Sequence, residues 1–160
     1  MSMKNIKMVV TDLDNTLLRT DKTISDYTAG VLNKCRQNGI KVAFATARQE
    51  RNTVDFAKIA KPDLIISCNG AKVSGNGQII LLKYISPFAA KSIVDTLRSE
   101  DFIFVIDYKD YSLTNDKDYL NWAGESWGLM FTDFTEYELR GIQRISVKEY
   151  GGKSGGTDRF

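Results

Sequence analysis

Between residues 9 and 18 the chain reads Val-Val-Thr-Asp-Leu-Asp-Asn-Thr-Leu-Leu. The run from Ile6 to Val10 is short, apolar and β-branched, which predicts a buried strand. Asp12 and Asp14 follow at once, and two carboxylates spaced by two residues on an extended chain point the same way. Such a pair can share one small hard cation, or divide into a nucleophile and a proton donor. A plain polar turn is the alternative, but the apolar flanks favour a site.

Downstream of this segment, helical and strand patterns alternate. Ser25 is a suitable N-cap for a helix that ends at Gly39, and Pro62 follows a second helical pattern. Asn and Gly residues separate two short apolar runs, which is typical of a β-hairpin. The predicted elements are a helix over 25–39, a strand over 40–46, a helix over 49–60, a strand over 64–68 and a hairpin over 71–82.

The order strand, helix, strand, helix, strand predicts parallel strands joined by right-handed crossovers. The carboxyl ends of such strands emerge at one edge of the sheet, where α/β proteins bind ligands. Asp12 and Asp14 end the first strand, Thr46 ends the second and Asn69 ends the third. We therefore expect these four polar residues in one crevice.

The second half of the chain predicts a separate α+β unit. Ser86 and Pro87 begin a helix, strands are predicted over 102–106, 111–114 and 142–148, and a short helix over 116–122. These strands are expected to be antiparallel. The overall class is α/β, with units over 1–84 and 85–150 and a flexible glycine-rich tail over 151–160.

Composition excludes several functions. The 160 residues contain no His, which excludes His-based triads and imidazole zinc sites. A net charge of +2 is too small to indicate nucleic acid or an anionic membrane as a partner. Cys35 and Cys68 match no metal-ligand spacing, and neither a signal peptide nor a membrane span is visible. We expect a protein of the reducing cytoplasm.

Two other motifs fail on spacing. An EF-hand loop starting at Asp12 would need Gly at Leu17 and Glu at Thr23. A phosphate-binding P-loop ending at residues 152–154 would need its first Gly at Val147, and no apolar helix follows it.

A combination of motifs in the first half of the chain is more specific than any one of them. Residues 12–18, the segment 21–25, the run Phe-Ala-Thr-Ala-Arg over 44–48 and Cys-Asn-Gly-Ala over 68–71 occur in this order. Together they resemble the haloacid dehalogenase-like phosphohydrolases, and more narrowly the Cof-type members of subclass IIB. Ala47 stands where the family usually has Gly.

The resemblance implies roles for the residues at the strand ends. Asp12 would attack phosphorus to give an aspartyl-phosphate, and Asp14 would protonate the leaving group and then activate water. Both would hold Mg²⁺, Asp14 through its backbone carbonyl, and Asp14 would have to carry a proton beside an ionised Asp12. Thr46 would donate to a phosphoryl oxygen, Arg48 would reach the substrate and Asn69 would shape the pocket. Thr46 could equally cap a helix, Arg48 lie on a surface, and Asn69 form a turn.

Residues 86–148 fit the start of the α/β cap that Cof-type members insert after the third strand. Such a cap covers the crevice, excludes water and selects the leaving group. Five aromatic residues are candidates to line it, although aromatics at such spacings are more often packed in a core. They are Phe88, Tyr108, Tyr111, Trp122 and Trp127.

The chain departs from the family pattern after the cap. Family members return to the core with a phosphate-binding Lys and an acidic metal-binding pair, and neither is present by residue 160. Two hypotheses follow: an impaired, truncated or frame-shifted Mg²⁺-dependent phosphatase of small phosphorylated metabolites, or a non-catalytic phospholigand- or protein-binding module. A flavodoxin-like or phosphoreceiver domain is the alternative at the level of the fold. An uncovered sheet edge or apolar surface predicts self-association.

Overall fold

The computed structural model describes residues 6–123 and 128–150. The chain divides into two compact units, with the boundary between Lys83 and Tyr84. The predicted tail and Trp127, together with the side chain of Trp122, lie outside the described residues.

The first unit is built on one five-stranded sheet in the order β1-β2-β3-β4-β5. The three strands predicted to be parallel are parallel, and the predicted hairpin is also confirmed. That hairpin joins the same sheet antiparallel to β3, so the sheet is mixed and larger than the three strands expected. The elements are β1 Met8–Thr11, α1 Asp26–Gln37, β2 Lys41–Ala45, α2 Val54–Ala60, β3 Leu64–Ser67, β4 Lys72–Gly75 and β5 Gln78–Leu82.

Local sequence signals explain where the helices of this unit start and stop. The Ser25 hydroxyl accepts the N–H of Thr28 at 3.1 Å, as an N-cap does. Gly39 follows α1 with a φ of 76°, a left-handed conformation that suits glycine. The predicted helix over 49–60 begins instead as a tighter turn, Glu50–Thr53, and only then continues as α2.

The core of the first unit lies between the sheet and its helices. Leu13 and Leu18 belong to this core, and they flank the acidic segment at both ends. The loop that follows β1 is therefore anchored by apolar burial while its polar residues stay near the surface. The buried core residues are Leu13, Leu18, Ile24, Leu32, Val42, Phe44 and Ala60.

The second unit contains a four-stranded sheet in the order β8-β7-β6-β9. β6 pairs antiparallel with β7 and β9, as predicted. The expectation that all strands are antiparallel is wrong for β8, which was not predicted at all and runs parallel to β7. The helix α4 lies between these two strands in the chain, and a connection through a helix allows both strands to run in the same direction. The elements are α3 Pro87–Ser99, β6 Phe102–Asp107, β7 Ser112–Thr114, α4 Lys117–Ala123, β8 Leu129–Phe131 and β9 Arg144–Tyr150.

Aromatic residues of the second unit serve mainly its core. Phe104 stacks on Phe134 with ring centroids 4.6 Å apart. Tyr108 is buried and stacks on Tyr111 at 4.5 Å, so these two candidates pack in the core of this unit. Phe88 is 87% exposed. Among the five aromatic candidates, Phe88 is the one whose ring is exposed to solvent in the described part of the chain.

None of the helices within the described ranges is long and apolar enough to cross a lipid bilayer.

Candidate functional site

The loop after β1 presents two carboxylates beside a buried leucine. Asp12 is extended, and its Oδ1 accepts the N–H of Leu13 at 2.6 Å. The N–H of Leu18 returns to the Leu13 carbonyl at 2.8 Å, and Asn15 adopts a left-handed φ of 56° within this tight turn. Because Leu13 is fully buried, the turn holds Asp12 exposed and Asp14 half-buried.

Asp14 is held by two cations. Arg48 Nε donates to its Oδ2 at 2.7 Å and Arg48 Nη2 to its Oδ1 at 2.8 Å, a two-pronged pairing with fixed geometry. Lys22 Nζ lies 3.1 Å from the same Oδ1. The Arg48 guanidinium also lies over the Phe56 ring, 5.2 Å from its centroid. Asp14 therefore joins its own loop to the segment after β2 and to the turn that carries Lys22.

These contacts set the charge of the carboxylate. The hydrogen bonds from Arg48, with a smaller contribution from Lys22, lower the pKa of Asp14 to about 2, although partial burial acts in the opposite direction. The pKa of Arg48 is raised, mainly by Asp14 and also by attraction to Asp12. Asp14 is thus ionised at neutral pH. These contacts favour the ionised form of Asp14, whereas the expected role of proton donor requires its protonated form.

Thr46 and Asn69 lie where the next two strands end. The Thr46 N–H donates to the Ile66 carbonyl at 2.9 Å, and its Oγ1 accepts the Arg48 N–H at 3.2 Å. The Asn69 N–H in turn donates to the Thr46 carbonyl at 3.3 Å. Thr46 is almost completely buried, whereas Asn69 is exposed and left-handed, with a φ of 55°. The alternative that Thr46 caps the following helix is wrong, because that helical segment starts at Glu50 and Thr46 closes only a local turn with Arg48. The Thr46 hydroxyl hydrogen can still be donated.

The five predicted site residues are brought together at one edge of the sheet. Two follow β1, two follow β2 and one follows β3, and the Cys68 N–H donates to the Arg48 carbonyl at 2.9 Å between the last two segments. Lys22 was missed by sequence reasoning. The signal was available, since Lys22 lies in the segment 21–25 that was already part of the family resemblance.

One carboxylate of the site, that of Asp12, suits Mg²⁺ as a ligand. Mg²⁺ is commonly bound by one or two carboxylates, several waters and phosphate oxygens of a substrate. Asp12 is exposed and suits this role, whereas the Asp14 carboxylate is engaged by Arg48 and Lys22. Within residues 6–123 and 128–150 there is no cluster of three acidic, Cys or His side chains that could hold a metal.

A family model described as haloacid dehalogenase-like hydrolase matches residues 9–144. A Mycoplasma genitalium protein that carries the name phosphatase is 31% identical over 120 residues, which are 71% of this chain and 42% of that protein. The HMP-PP phosphatase of Cronobacter sakazakii is 30% identical over 85 residues, 52% of this chain and 31% of that enzyme.

Among solved structures, a subclass IIB sugar phosphatase of the HAD superfamily superimposes with a TM-score of 0.71 at 16% identity. The superimposed region covers 85% of this chain and 56% of the chain of that sugar phosphatase. At this identity the likeness shows the fold. The chain spans only about a third to a little over half the length of these three proteins.

Proposed function

The chain belongs to the haloacid dehalogenase-like hydrolases, and on that basis we propose that it acts on small phosphate monoesters through Asp12. The observation that carries the proposal is the convergence of Asp12, Asp14, Thr46 and Arg48 at the carboxyl ends of β1 and β2. This edge of an α/β sheet is where ligands bind. An exposed carboxylate at this edge supplies a nucleophile, and a guanidinium and a hydroxyl at the same edge can bind phosphoryl oxygens.

In the first step an Asp12 carboxylate oxygen forms a bond to phosphorus while the bond from phosphorus to the ester oxygen breaks. The alkoxide takes a proton and leaves as an alcohol, and the enzyme holds an aspartyl-phosphate. Water then forms a bond to phosphorus and gives up a proton while the bond from phosphorus to the Asp12 oxygen breaks, which releases inorganic phosphate and restores the Asp12 carboxylate. Activation of that water suits Asp14, which is already ionised. For Asp14 to supply the proton that the alkoxide takes, it would first have to leave its cations and take up a proton from solvent.

The neighbouring residues would bind and orient the phosphoryl group. The Thr46 hydroxyl would donate to a phosphoryl oxygen, and Arg48 would balance its negative charge. Asn69 would border the pocket. Bound Mg²⁺, held by Asp12 and the Asp14 carbonyl, would supply further positive charge. The second unit would serve as part of the cap and the first as part of the core.

The substrate class we propose is a sugar phosphate or a phosphorylated cofactor. The names of two relatives support it, one a sugar phosphatase and the other an HMP-PP phosphatase. Substrate choice would be made by groups that contact the leaving alcohol, because the phosphoryl group is common to every candidate.

The decisive experiment compares the full chain with Asp12→Asn, using an aryl phosphate and Mg²⁺. We expect phosphate release by the unmodified chain and a loss of about a thousandfold or more in the variant, because the nucleophile is removed. Asp55→Asn is the matched control, since Asp55 is a highly exposed carboxylate on α2. Equal activity in Asp12→Asn would refute the assignment of the nucleophile.

A second candidate function is binding without turnover. It is favoured by the network in which Asp14 is already paired with two cations, because these contacts favour the ionised carboxylate over the protonated form that would donate to the leaving group. Absence of activity combined with retained binding of inorganic phosphate would support this candidate over hydrolysis.

We also propose self-association and a cytoplasmic location. Within the described residues no strand covers the outer sides of β1 and β5, which carry exposed apolar side chains such as Val10 and Ile80. A cavity of about 620 Å³ lies near the start of β1, and Ile6, Val31 and Ile40 form part of its lining. A single monomeric species in sedimentation at micromolar concentration would contradict self-association. The two cysteines are free, which suits a reducing compartment.

A further inference from the structure

The turn that precedes α1 brings a lysine to the acidic loop. Lys22 has a left-handed φ of 61°, uncommon for a residue with a side chain. Two backbone bonds close the turn: the Lys22 N–H donates to the Arg19 carbonyl at 2.9 Å, and the Arg19 N–H to the Thr23 carbonyl at 2.9 Å. Asp21 Oδ1 accepts both the N–H and the hydroxyl of Thr23, at 3.0 and 2.6 Å. A hydrogen-bonded turn therefore fixes the backbone position of Lys22.

The site needs a cation that can move. Asp12 and Asp14 together repel a phosphate dianion, so charge must be balanced before an oxygen of Asp12 can approach phosphorus. Arg48 is held on Asp14 by two hydrogen bonds and by the Phe56 ring, and it is mostly buried. Lys22 makes one contact to Asp14, and its side chain is 54% exposed. A single exposed contact is weak, and a lysine stem is flexible, so Lys22 can transfer from carboxylate to phosphate at little cost.

Several other lysines of the first unit form ion pairs with carboxylates outside the acidic loop. Lys41 pairs with Asp63, Lys58 with Asp55, and Lys72 with the half-buried Glu50. Each of these carboxylates lies outside the acidic loop. Lys22 is the lysine that an ion pair places on this loop within the described residues.

We propose that Lys22 is a phosphate-binding residue of this site: it pairs with Asp14 when the site is empty and moves onto the phosphoryl group when the substrate binds. This assignment rests on the proposed phosphatase function and adds a residue to it. Arg48 would remain the fixed cation and Lys22 the mobile one.

The test measures binding of inorganic phosphate to the full chain by calorimetry in low salt with Mg²⁺. We expect Lys22→Ala to weaken binding about tenfold, because a charge-assisted hydrogen bond is lost. Lys22→Arg should stay within about threefold of the unmodified chain, because it keeps the charge. Lys58→Ala, which removes an exposed lysine from α2, should bind unchanged.

Three other results would overturn the proposal, and they are distinguishable. If the unmodified chain binds phosphate and Lys22→Ala binds equally well, the proposal is wrong while the phosphate site stands. If Lys22→Ala and Lys22→Arg lose binding equally, the residue only shapes its turn; thermal unfolding of both variants shows whether they are folded. If the unmodified chain does not bind phosphate at millimolar concentration, both the assignment and the proposed function fail.

Discussion

The two units each contain an aspartate paired with the Nε of an arginine, but the pairs are built differently. Asp107 lies on β6 and is almost completely buried. Arg144 lies opposite it on β9, and the Arg144 Nε donates to Asp107 Oδ2 at 2.6 Å. Ser112, its neighbour on β7, donates to the other carboxylate oxygen at 2.6 Å. Asp14, by contrast, is about one-third exposed, and its partners come from separate loops.

This difference separates a pair assembled by strand pairing from a pair to which we assign a function. The partners of Asp107 are supplied by strand pairing itself, so the pair is part of how the sheet is assembled. The partners of Asp14 meet only because three strand ends and one turn converge. Exposure also differs, and an ion pair that water can reach is worth much less than a buried one. Stability should therefore depend on Asp107, and ligand binding on the residues around Asp14.

The largest effect should come from Asp107→Ala. Removing the buried carboxylate takes away a charge partner of Arg144 and an acceptor of the Ser112 hydroxyl, and we expect the free energy of unfolding to fall by about 3 kcal/mol. Asp14→Ala should lower it by less than about 1 kcal/mol, because that pair is partly exposed. Urea unfolding of both variants measures the two values. Equal losses would mean that the two pairs are equivalent.

An intermediate effect should appear when the arginines are exchanged for alanine. Arg48→Ala should weaken binding of inorganic phosphate by about tenfold or more, since a charged donor is lost at the site. Arg144→Ala should leave binding unchanged wherever the protein is still folded, and Arg144→Lys serves as the milder variant if it is not. A loss of phosphate binding in folded Arg144→Lys would show that the second pair is also functional.

The smallest effect concerns a third aspartate, at the opposite ends of the same parallel strands. Asp63 accepts from Lys41 at 2.8 Å and from the Val42 N–H at 2.9 Å, and these hydrogen bonds hold its pKa below the usual range of an aspartate. Because the folded-state pKa is depressed, the contribution to stability is present above about pH 4 and is lost as the pH falls further. It should be below about 1 kcal/mol, given solvent screening.

Asp63→Asn keeps an acceptor for the Val42 N–H but removes the charge. The difference in melting temperature between this variant and the unmodified chain should therefore shrink between about pH 5 and pH 3. A constant difference across this range would mean that the Asp63 charge does not contribute.

Much of the first unit was predictable because its signals are local. Ser25 capping α1 and the hairpin around Gly77 depend on a few adjacent residues, and parallel β1, β2 and β3 follow from alternation with helices. That the hairpin would extend the same sheet was not predictable, because strand neighbours are decided by distant packing. β8 has three residues and little pattern of its own, so its parallel pairing depends on α4.

The placement of the site was predictable from the sequence, whereas the ion pairs of Asp14 were not. Topology alone indicates that Asp12, Thr46 and Asn69 share an edge of the sheet. The two-pronged contact between Arg48 and Asp14 spans 34 residues of chain, and no spacing rule encodes it. This contact lowers the pKa of Asp14, an effect that the spacing of two carboxylates alone does not indicate.

The buried Asp107 also constrains how β9 can align during folding. If β9 slipped by one residue along β6, Arg144 would be carried to the other face of the sheet and the carboxylate would stay in the interior without its cation. Misaligned forms of this sheet therefore carry an electrostatic penalty that the native alignment avoids. The pairing of Asp107 with Arg144 therefore favours the native register of β9 on β6.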